Sequence, residues 1–186
     1  MIKRISSILL CFFIVSKVAF ASDILVIEIA GQVSGKVEIE LLEEIAPKHV
    51  ERVKYLAETG AYNNVVFHRV IDGFMAQTGD VKFGLKDSDE LAFAGRGGSQ
   101  LPNLPAEFSL LSYEKGTVGM ARSQHPDSAN SQFFIMFSEA PFLDGKYTIF
   151  GRVIYGQETV DLIKKGQGNN GEVTEPDYMS KVYIKN

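Results

Sequence analysis

The chain has 186 residues, 45% of them hydrophobic, with 19 Lys and Arg against 23 Asp and Glu. A chain of this size can form one domain that buries about 70% of its unfolded surface. The acidic balance argues against nucleic acid or an anionic membrane as the partner.

The N-terminus has the order of a secretory signal peptide. Two basic residues at positions 3 and 4 precede the apolar run ILLCFFIV, and the triplet AFA, which a signal peptidase would read, ends at residue 21. We therefore expect cleavage before Ser22 and export of residues 22–186 to the periplasm or the medium. The alternative is an uncleaved anchor, but a span needs about 20 apolar residues and Lys17 interrupts this run.

Cleavage would change both the charge and the redox chemistry of the chain. It would remove Lys3, Arg4 and Lys17, so the net charge would become (19 − 3) − 23 = −7. It would also remove Cys11, the only cysteine, which leaves no disulfide and no thiol chemistry. We expect a soluble monomer that depends on its core for stability and contacts no membrane after cleavage.

The first part of the domain predicts a hairpin and a helix. Residues 23–30 and 36–42 alternate in part and are rich in Ile and Val, with Gly31 between them, which is typical of two paired strands. A proline then opens a segment with apolar residues at helical spacing, and Gly60 follows it. This pattern predicts a helix from about 47 to 59.

The sequence pattern after residue 60 predicts short strands on both sides of one long loop and a second helix. Residues 79–116 are rich in Gly and Pro and have little periodicity, which indicates a surface loop of the length that is usually functional. The other predicted elements are strands over 65–70, 74–78, 117–121, 132–138, 147–155 and 179–185, and a helix over 157–165.

At least seven strands and only two helices argue against a parallel doubly wound sheet. A mainly β fold, with an antiparallel barrel whose ends are covered by the helices, fits better. Periodicity does not separate such a barrel from a sandwich.

The segment FHRVIDGFMAQTGD, residues 67–80, places two polar side chains among large apolar ones. In strict alternation Phe67 and Arg69 share one face of a strand, and Met75 and Gln77 share one face of its neighbour. The pattern fits either a hairpin with one solvent-exposed face, on which Arg69 would be solvated, or an apolar pocket in which Arg69 and Gln77 donate hydrogen bonds to a ligand.

Three further segments follow in order: GMAR, SANSQFFI and LDGKYTIFGRV. Together with FHRVIDGFMAQTGD they resemble the cyclophilin-type peptidyl-prolyl isomerases, and the match extends from Ile24 to Ile184. The resemblance implies a closed eight-stranded antiparallel β-barrel capped by two α-helices. It also implies an enzyme that accelerates rotation about X-Pro peptide bonds and assists protein folding.

The resemblance assigns site residues one by one. Arg69 matches the family's guanidinium and Gln77 its amide, and these are the expected catalytic residues. Around them, the resemblance implies substrate contacts from the proline pocket, the main-chain groove and its rim: Phe74, Met75, Ala121, Arg122, Gln132, Phe134, Phe142, Leu143 and Tyr147.

Two positions depart from the best-known eukaryotic members. Phe142 stands where they carry tryptophan, and Tyr147 where they carry histidine. Neither departure removes a group needed for the chemistry. Both bear on substrate preference and on inhibitor affinity, and Phe142 is expected to reduce the affinity for the cyclic peptide inhibitor cyclosporin.

The chemistry implied by the resemblance explains this mixture of residues. The barrier to X-Pro rotation is about 20 kcal/mol, and no covalent bond breaks, so neither metal nor cofactor is required. Arg69 would donate to the proline nitrogen, which becomes basic only in the twisted transition state. We expect proline-containing segments of unfolded or partly folded proteins as substrates. The alternatives are a non-catalytic binding module for such segments and a barrel that carries a small apolar ligand.

Other polar residues have simpler interpretations. His68 faces away from Arg69 and is expected to be a hydrogen-bonded core histidine. His49 and His125 are too far apart in sequence to indicate a metal site. Asp80 is expected to form a turn, and Gly95-Arg96-Gly97-Gly98 lacks the flanking strand and helix of a phosphate loop.

Overall fold

The computed structural model describes residues 22–185, and the predicted signal segment lies outside this range. Over the described residues the fold is mainly β, with one nine-stranded antiparallel sheet and two α-helices. Neither of these two helices is long and apolar enough to cross a membrane.

The nine strands are numbered in chain order. They are β1 Ile24–Ala30, β2 Gly35–Leu41, β3 Val65–Val66, β4 Arg69–Ile71, β5 Met75–Thr78, β6 Thr117–Met120, β7 Phe133–Met136, β8 Ile149–Tyr155 and β9 Tyr178–Lys185. The helices are α1 Pro47–Glu58 and α2 Gln157–Leu162. In the sheet the order is β3-β9-β1-β2-β8-β6-β7-β5-β4. The predicted hairpin, both helices and the four later strands are confirmed, with ends shifted by up to three residues.

The strand predicted over residues 65–70 is broken into β3 and β4. The chain leaves the ladder at Phe67 and His68. Phe67 is fully buried and packs in the same core cluster as Val70, so the expectation that it shares a face with Arg69 is wrong. Alternation fails here because it holds only within a continuous strand.

The expectation of a closed eight-stranded barrel is also wrong. The break adds a ninth strand, and the edges of the sheet are β3 and β4, which form no ladder with each other in the described part of the chain. Only two residues separate these edge strands in sequence. Because these two edge strands are not hydrogen-bonded to each other among the residues that the structure describes, the sheet does not close on itself and is an open curled half-barrel.

Two hydrophobic clusters occupy the fold. The larger lies between the sheet and α1, where Val50, Val53 and Leu56 are buried at the predicted helical spacing. The smaller contains Met75, Phe134 and Leu143 together with residues of β7 and β8. This smaller cluster supports the surface described below.

The long loop between β5 and β6 is confirmed, and a single 3-10 turn over Leu91–Phe93 interrupts it. Asp80 fixes its fold from a fully buried position. Its carboxylate accepts hydrogen bonds at 3.0 Å from two N–H groups just after it and at 2.8 Å from the N–H groups of Gly95 and Gly97. Asp80 does form a turn, as predicted, but it also ties the turn to the glycine-rich segment.

Candidate active site

One surface cavity of about 470 Å³ gathers the predicted site residues. It lies across β4, β5 and β7 and is bordered by the segments that follow β6 and β7. Its lining is Arg69, Phe74, Met75, Gln77, Ala121, Arg122, Phe134, Phe142, Leu143, Lys146 and Tyr147. Of the residues predicted from the sequence, only Gln132 is outside this lining, and it lies in the adjoining cavity.

The floor of the cavity is apolar and well buried. Met75, Phe134 and Leu143 expose 1%, 5% and 7% of their surface. At the rim, the rings of Phe74 and Phe142 lie 5.6 Å apart, and Phe142 is 61% exposed. The cavity is therefore a hydrophobic groove, open on one side, that suits a small apolar ring.

The polar side of the cavity is built on one pair of opposed residues. Arg69 on β4 is in register with Gln77 on β5, and its Nη1 donates to Oε1 of Gln77 at 3.1 Å. Its Nε donates to the carbonyl of Asn170 at 3.0 Å. Burial lowers the pKa of Arg69, with Tyr147 opposing the shift, but a guanidinium stays protonated near neutral pH.

A chain of hydrogen bonds extends from Arg69 to the long loop. Because Oε1 of Gln77 accepts from the arginine, its Nε2 is left to donate, and it donates to Oε1 of Gln132 at 3.0 Å. Nε2 of Gln132 then donates to the carbonyls of Gly95 at 3.1 Å and Gly97 at 2.7 Å. The two amides therefore position the guanidinium against a fixed loop.

The groove side of the cavity is formed by Ala121 and Arg122. The guanidinium of Arg122 lies 4.3 Å from the ring centre of Tyr147, which in turn meets Phe134 edge-on at 6.0 Å. The N–H of Ala121 donates to the carbonyl of Gln132 at 2.9 Å. This N–H is therefore not free to pair with a bound peptide chain.

Two residues at the site were missed from the sequence. Lys146 lines the cavity, and its Nζ donates to the carbonyl of Phe142 at 3.0 Å. Its position next to Tyr147 in the segment FLDGKYTIFG could have indicated from the sequence that it belongs to the site. Tyr113 is buried beneath the cavity and stacks on Phe134 at 5.7 Å. It lies in the aperiodic loop, where no pattern indicates which way a side chain points.

His68 is buried, as expected, with 9% of its surface exposed. No hydrogen bond of good geometry reaches either ring nitrogen among the described residues, and only weak interactions with the Val66 backbone and the Gln132 side chain take the place of the expected hydrogen bond. Burial lowers the pKa of His68 from 6.5 to about 4, with Asp80 opposing the shift. The ring is therefore neutral near pH 7 and is not suited to act as an acid.

This depressed pKa predicts a loss of stability in mild acid. Below pH 6.5 the unfolded chain binds a proton at His68, whereas the folded chain does not until about pH 4. The free energy of unfolding should thus fall by about 3 kcal/mol between these values and gain nothing above them. Urea unfolding of the wild type and His68→Gln from pH 7 to pH 4 measures this. Parallel pH dependence in the two proteins would contradict it.

The other two histidines make local contacts. Nδ1 of buried His49 lies 2.6 Å from Oε2 of Glu107, and Nδ1 of His125 accepts from the N–H of Asp127 at 3.1 Å. Within residues 22–185, no group of three or more His, Cys, Asp or Glu side chains is placed to hold a metal ion.

Comparison with known proteins gives a consistent result. Residues 24–184 match the family model described as "Cyclophilin type peptidyl-prolyl cis-trans isomerase/CLD". A Brucella suis protein named "Probable peptidyl-prolyl cis-trans isomerase" is 58% identical over 153 residues, which cover 81% of this chain and 78% of the relative. "Peptidyl-prolyl cis-trans isomerase-like 3" of Rattus norvegicus is 41% identical over 135 residues, covering 70% of this chain and 77% of the relative.

Solved structures share the fold. A cyclophilin-type peptidyl-prolyl cis-trans isomerase of Cryptosporidium parvum, crystallised in the presence of the dipeptide Ala-Pro, superposes with a TM-score of 0.73 at 27% identity. The superposition covers 88% of this chain and 99% of the other.

Proposed function

The chain belongs to the cyclophilin-type peptidyl-prolyl cis-trans isomerases, and from this premise we propose that Arg69 is the group that accelerates rotation about the X-Pro bond. In the planar amide, the nitrogen lone pair is delocalised and accepts hydrogen bonds poorly. In the twisted state, resonance is lost and the nitrogen becomes pyramidal and basic. A donor aimed at this nitrogen stabilises the transition state more than the ground state and so lowers the barrier.

The apolar floor gives the donor its effect. Met75, Phe134 and Leu143 would hold the proline ring while the preceding carbonyl rotates. They would also exclude water, which strengthens the hydrogen bond from Arg69 because the local dielectric constant is low. Gln77 would keep the guanidinium in place through its bond of 3.1 Å. A rate gain of 10⁵ would require about 7 kcal/mol from these effects together.

One observation carries the proposal: a hydrogen-bonded guanidinium stands at the edge of a cavity whose floor is buried and apolar. The direct test is magnetisation-exchange NMR on a peptide that contains a single Ala-Pro bond. Exchange between the cis and trans forms should rise in proportion to enzyme concentration. Binding without faster exchange would instead indicate a module that only holds proline-containing segments.

We propose proline-containing segments of unfolded or partly folded proteins as the substrates, and assistance of folding as the role. The crystals of the Cryptosporidium parvum relative with Ala-Pro support the first part. For the second, refolding of a protein limited by proline isomerisation should become faster in the presence of this enzyme, since that step takes about 10–100 s without catalysis.

We further propose that the enzyme acts outside the cytoplasm after loss of residues 1–21, because the N-terminus has the order of a signal peptide. Mass spectrometry of the protein from its native cell should find Ser22 as the first residue. An intact N-terminus in the membrane fraction would contradict this proposal.

With Phe142 in place of the family's tryptophan, the protein should bind cyclosporin less tightly than members that carry tryptophan there. The family resemblance implies that the indole N–H at this position donates to the inhibitor. Phenylalanine has no donor, and a hydrogen bond contributes about 0.5–1.5 kcal/mol. We expect Phe142→Trp to tighten cyclosporin binding at least about fivefold while kcat/KM stays within about threefold. Calorimetric titration of both proteins measures this. Equal affinities would mean that Tyr147 or the 79–116 loop sets the inhibitor sensitivity.

A further inference from the structure

The cavity of about 470 Å³ that Arg69 lines is called the proline pocket below. A second cavity, of about 490 Å³, adjoins it. The two cavities share Gln77, Ala121 and Arg122 as a common wall. The second cavity is bounded on its far side by Lys82, Arg96 and the glycine-rich segment. No Asp or Glu lines it. Its lining is mostly polar and carries three cations, Lys82, Arg96 and Arg122.

Lys82 and Arg96 are held at the rim by an aromatic pair. Nζ of Lys82 lies 4.4 Å from the ring centre of Phe83, and Cζ of Arg96 lies 5.8 Å from that of Phe93. The two rings are 5.9 Å apart. Neither cation forms an ion pair with a carboxylate in the described part of the chain. Their charges are thus positioned by packing and remain available to a ligand.

The other charged groups near the cavity change this balance little. The guanidinium of Arg122 donates to the carbonyls of Ser123 at 2.9 Å and Lys146 at 2.8 Å, so it contributes charge more than free donors. Asp80 lies under the loop with its carboxylate taken up by four N–H groups. With three cations and no carboxylate in its lining, the cavity is positive in a chain whose net charge is −4.

We propose that this cavity is an anion-selective subsite that binds the carboxylate side chain of an Asp or Glu residue in the substrate. The proposal rests on the proposed function, because a proline in the apolar pocket determines where the rest of the substrate lies. An extended chain advances about 3.3 Å per residue. A cavity that shares a wall with the pocket is therefore reached by a side chain two or three residues from the proline.

The subsite makes the enzyme selective for charge without taking part in bond rotation. A carboxylate would meet Lys82 and Arg96 at a partly exposed rim, where ion pairs contribute modestly and are screened by salt. We expect a glutamate peptide to exceed its glutamine counterpart by about three- to tenfold in kcat/KM at low salt. Raising the salt concentration should reduce this ratio.

The test is a scan of glutamate against glutamine in a peptide with one Ala-Pro bond. The substitution is placed two or three residues before or after the proline, and kcat/KM is measured by NMR exchange. In the wild type, glutamate should be favoured at least threefold at one or more of these positions. In the double variant Lys82→Gln/Arg96→Gln, the ratio should fall to about one, and turnover of the glutamine peptides should not change.

Lys181→Gln is the matched control. Lys181 also lies over an aromatic ring, that of Tyr183 at 5.2 Å, but it is on β9 and lines neither cavity. This variant should keep the full preference for glutamate. A preference that survives in the double variant, or its absence at all four positions in the wild type, would overturn the subsite.

Failure of the subsite can be separated from failure of the proposed function. If the glutamine peptides are turned over but glutamate is not favoured, the proposed isomerase function is supported and the proposed subsite is overturned. If no peptide is turned over, chemical-shift titration of the same peptides gives their dissociation constants. A glutamate preference in binding that the double variant loses would then support the subsite, and equal dissociation constants would overturn it.

Discussion

Arg69→Ala should lower kcat/KM for an Ala-Pro peptide at least about 30-fold, because losing one transition-state donor costs about 2–4 kcal/mol. The side chain lines a surface cavity and is half-buried, so the fold should survive its removal. NMR exchange measures the rate, and circular dichroism establishes that the variant is folded. A folded variant with unchanged turnover would remove Arg69 from the mechanism.

Two matched variants make this result specific. Arg69→Lys keeps the charge but loses the planar fork that bonds both Gln77 and Asn170, so we expect it to remain well below the wild type. Arg152→Ala removes an exposed arginine on β8 that lines neither cavity. It should retain full activity, which would show that loss of positive charge alone does not account for the effect.

Phe134→Ala should reduce stability and activity together. The ring is 5% exposed and packs against Tyr113 and Tyr147, so its removal should lower the free energy of unfolding by about 3–5 kcal/mol. It also opens one wall of the proline pocket. Losing apolar contact worth about 1.5–3 kcal/mol would reduce kcat/KM by about ten- to hundredfold.

Phe133→Ala separates the two effects of that substitution. Phe133 is the preceding residue on β7, is fully buried, and packs in the larger core against Tyr62 and Phe150. We expect an equal or greater loss of stability from this variant but nearly unchanged kcat/KM per folded molecule, measured below its melting temperature. If Phe134→Ala kept full activity and the wild-type melting temperature, its place at both pocket and core would be wrong.

The sequence by itself determined most elements and the chemical character of the site. The hairpin, α1, α2 and the four later strands follow from alternation, helical spacing and turn residues, which are local properties of the chain. Four ordered segments carry the family resemblance. The residues matched on that basis include Arg69, Gln77 and Phe134, which lie in one cavity.

The tertiary structure decided what depends on residues far apart in sequence. The break at Phe67 and His68 follows from packing, since Phe67 is buried in the core instead of following the strand's alternation. Asp80 looked like a local turn residue, yet it also accepts from N–H groups 15 and 17 residues away. No periodicity encodes such contacts, because they depend on how the aperiodic loop returns to the sheet.

The same reason explains why the cationic cavity is invisible in the sequence. Lys82 and Arg96 are 14 positions apart in a loop that has no periodicity of apolar residues. Arg122 lies in the GMAR segment, for which the family resemblance implied a role of the main chain and not of the side-chain charge. Only the folded loop, tied down by Asp80 and Gln132, brings Lys82 and Arg96 to the cavity that Arg122 also lines. Sequence patterns report which face of a helix or strand a residue occupies, and these residues occupy neither.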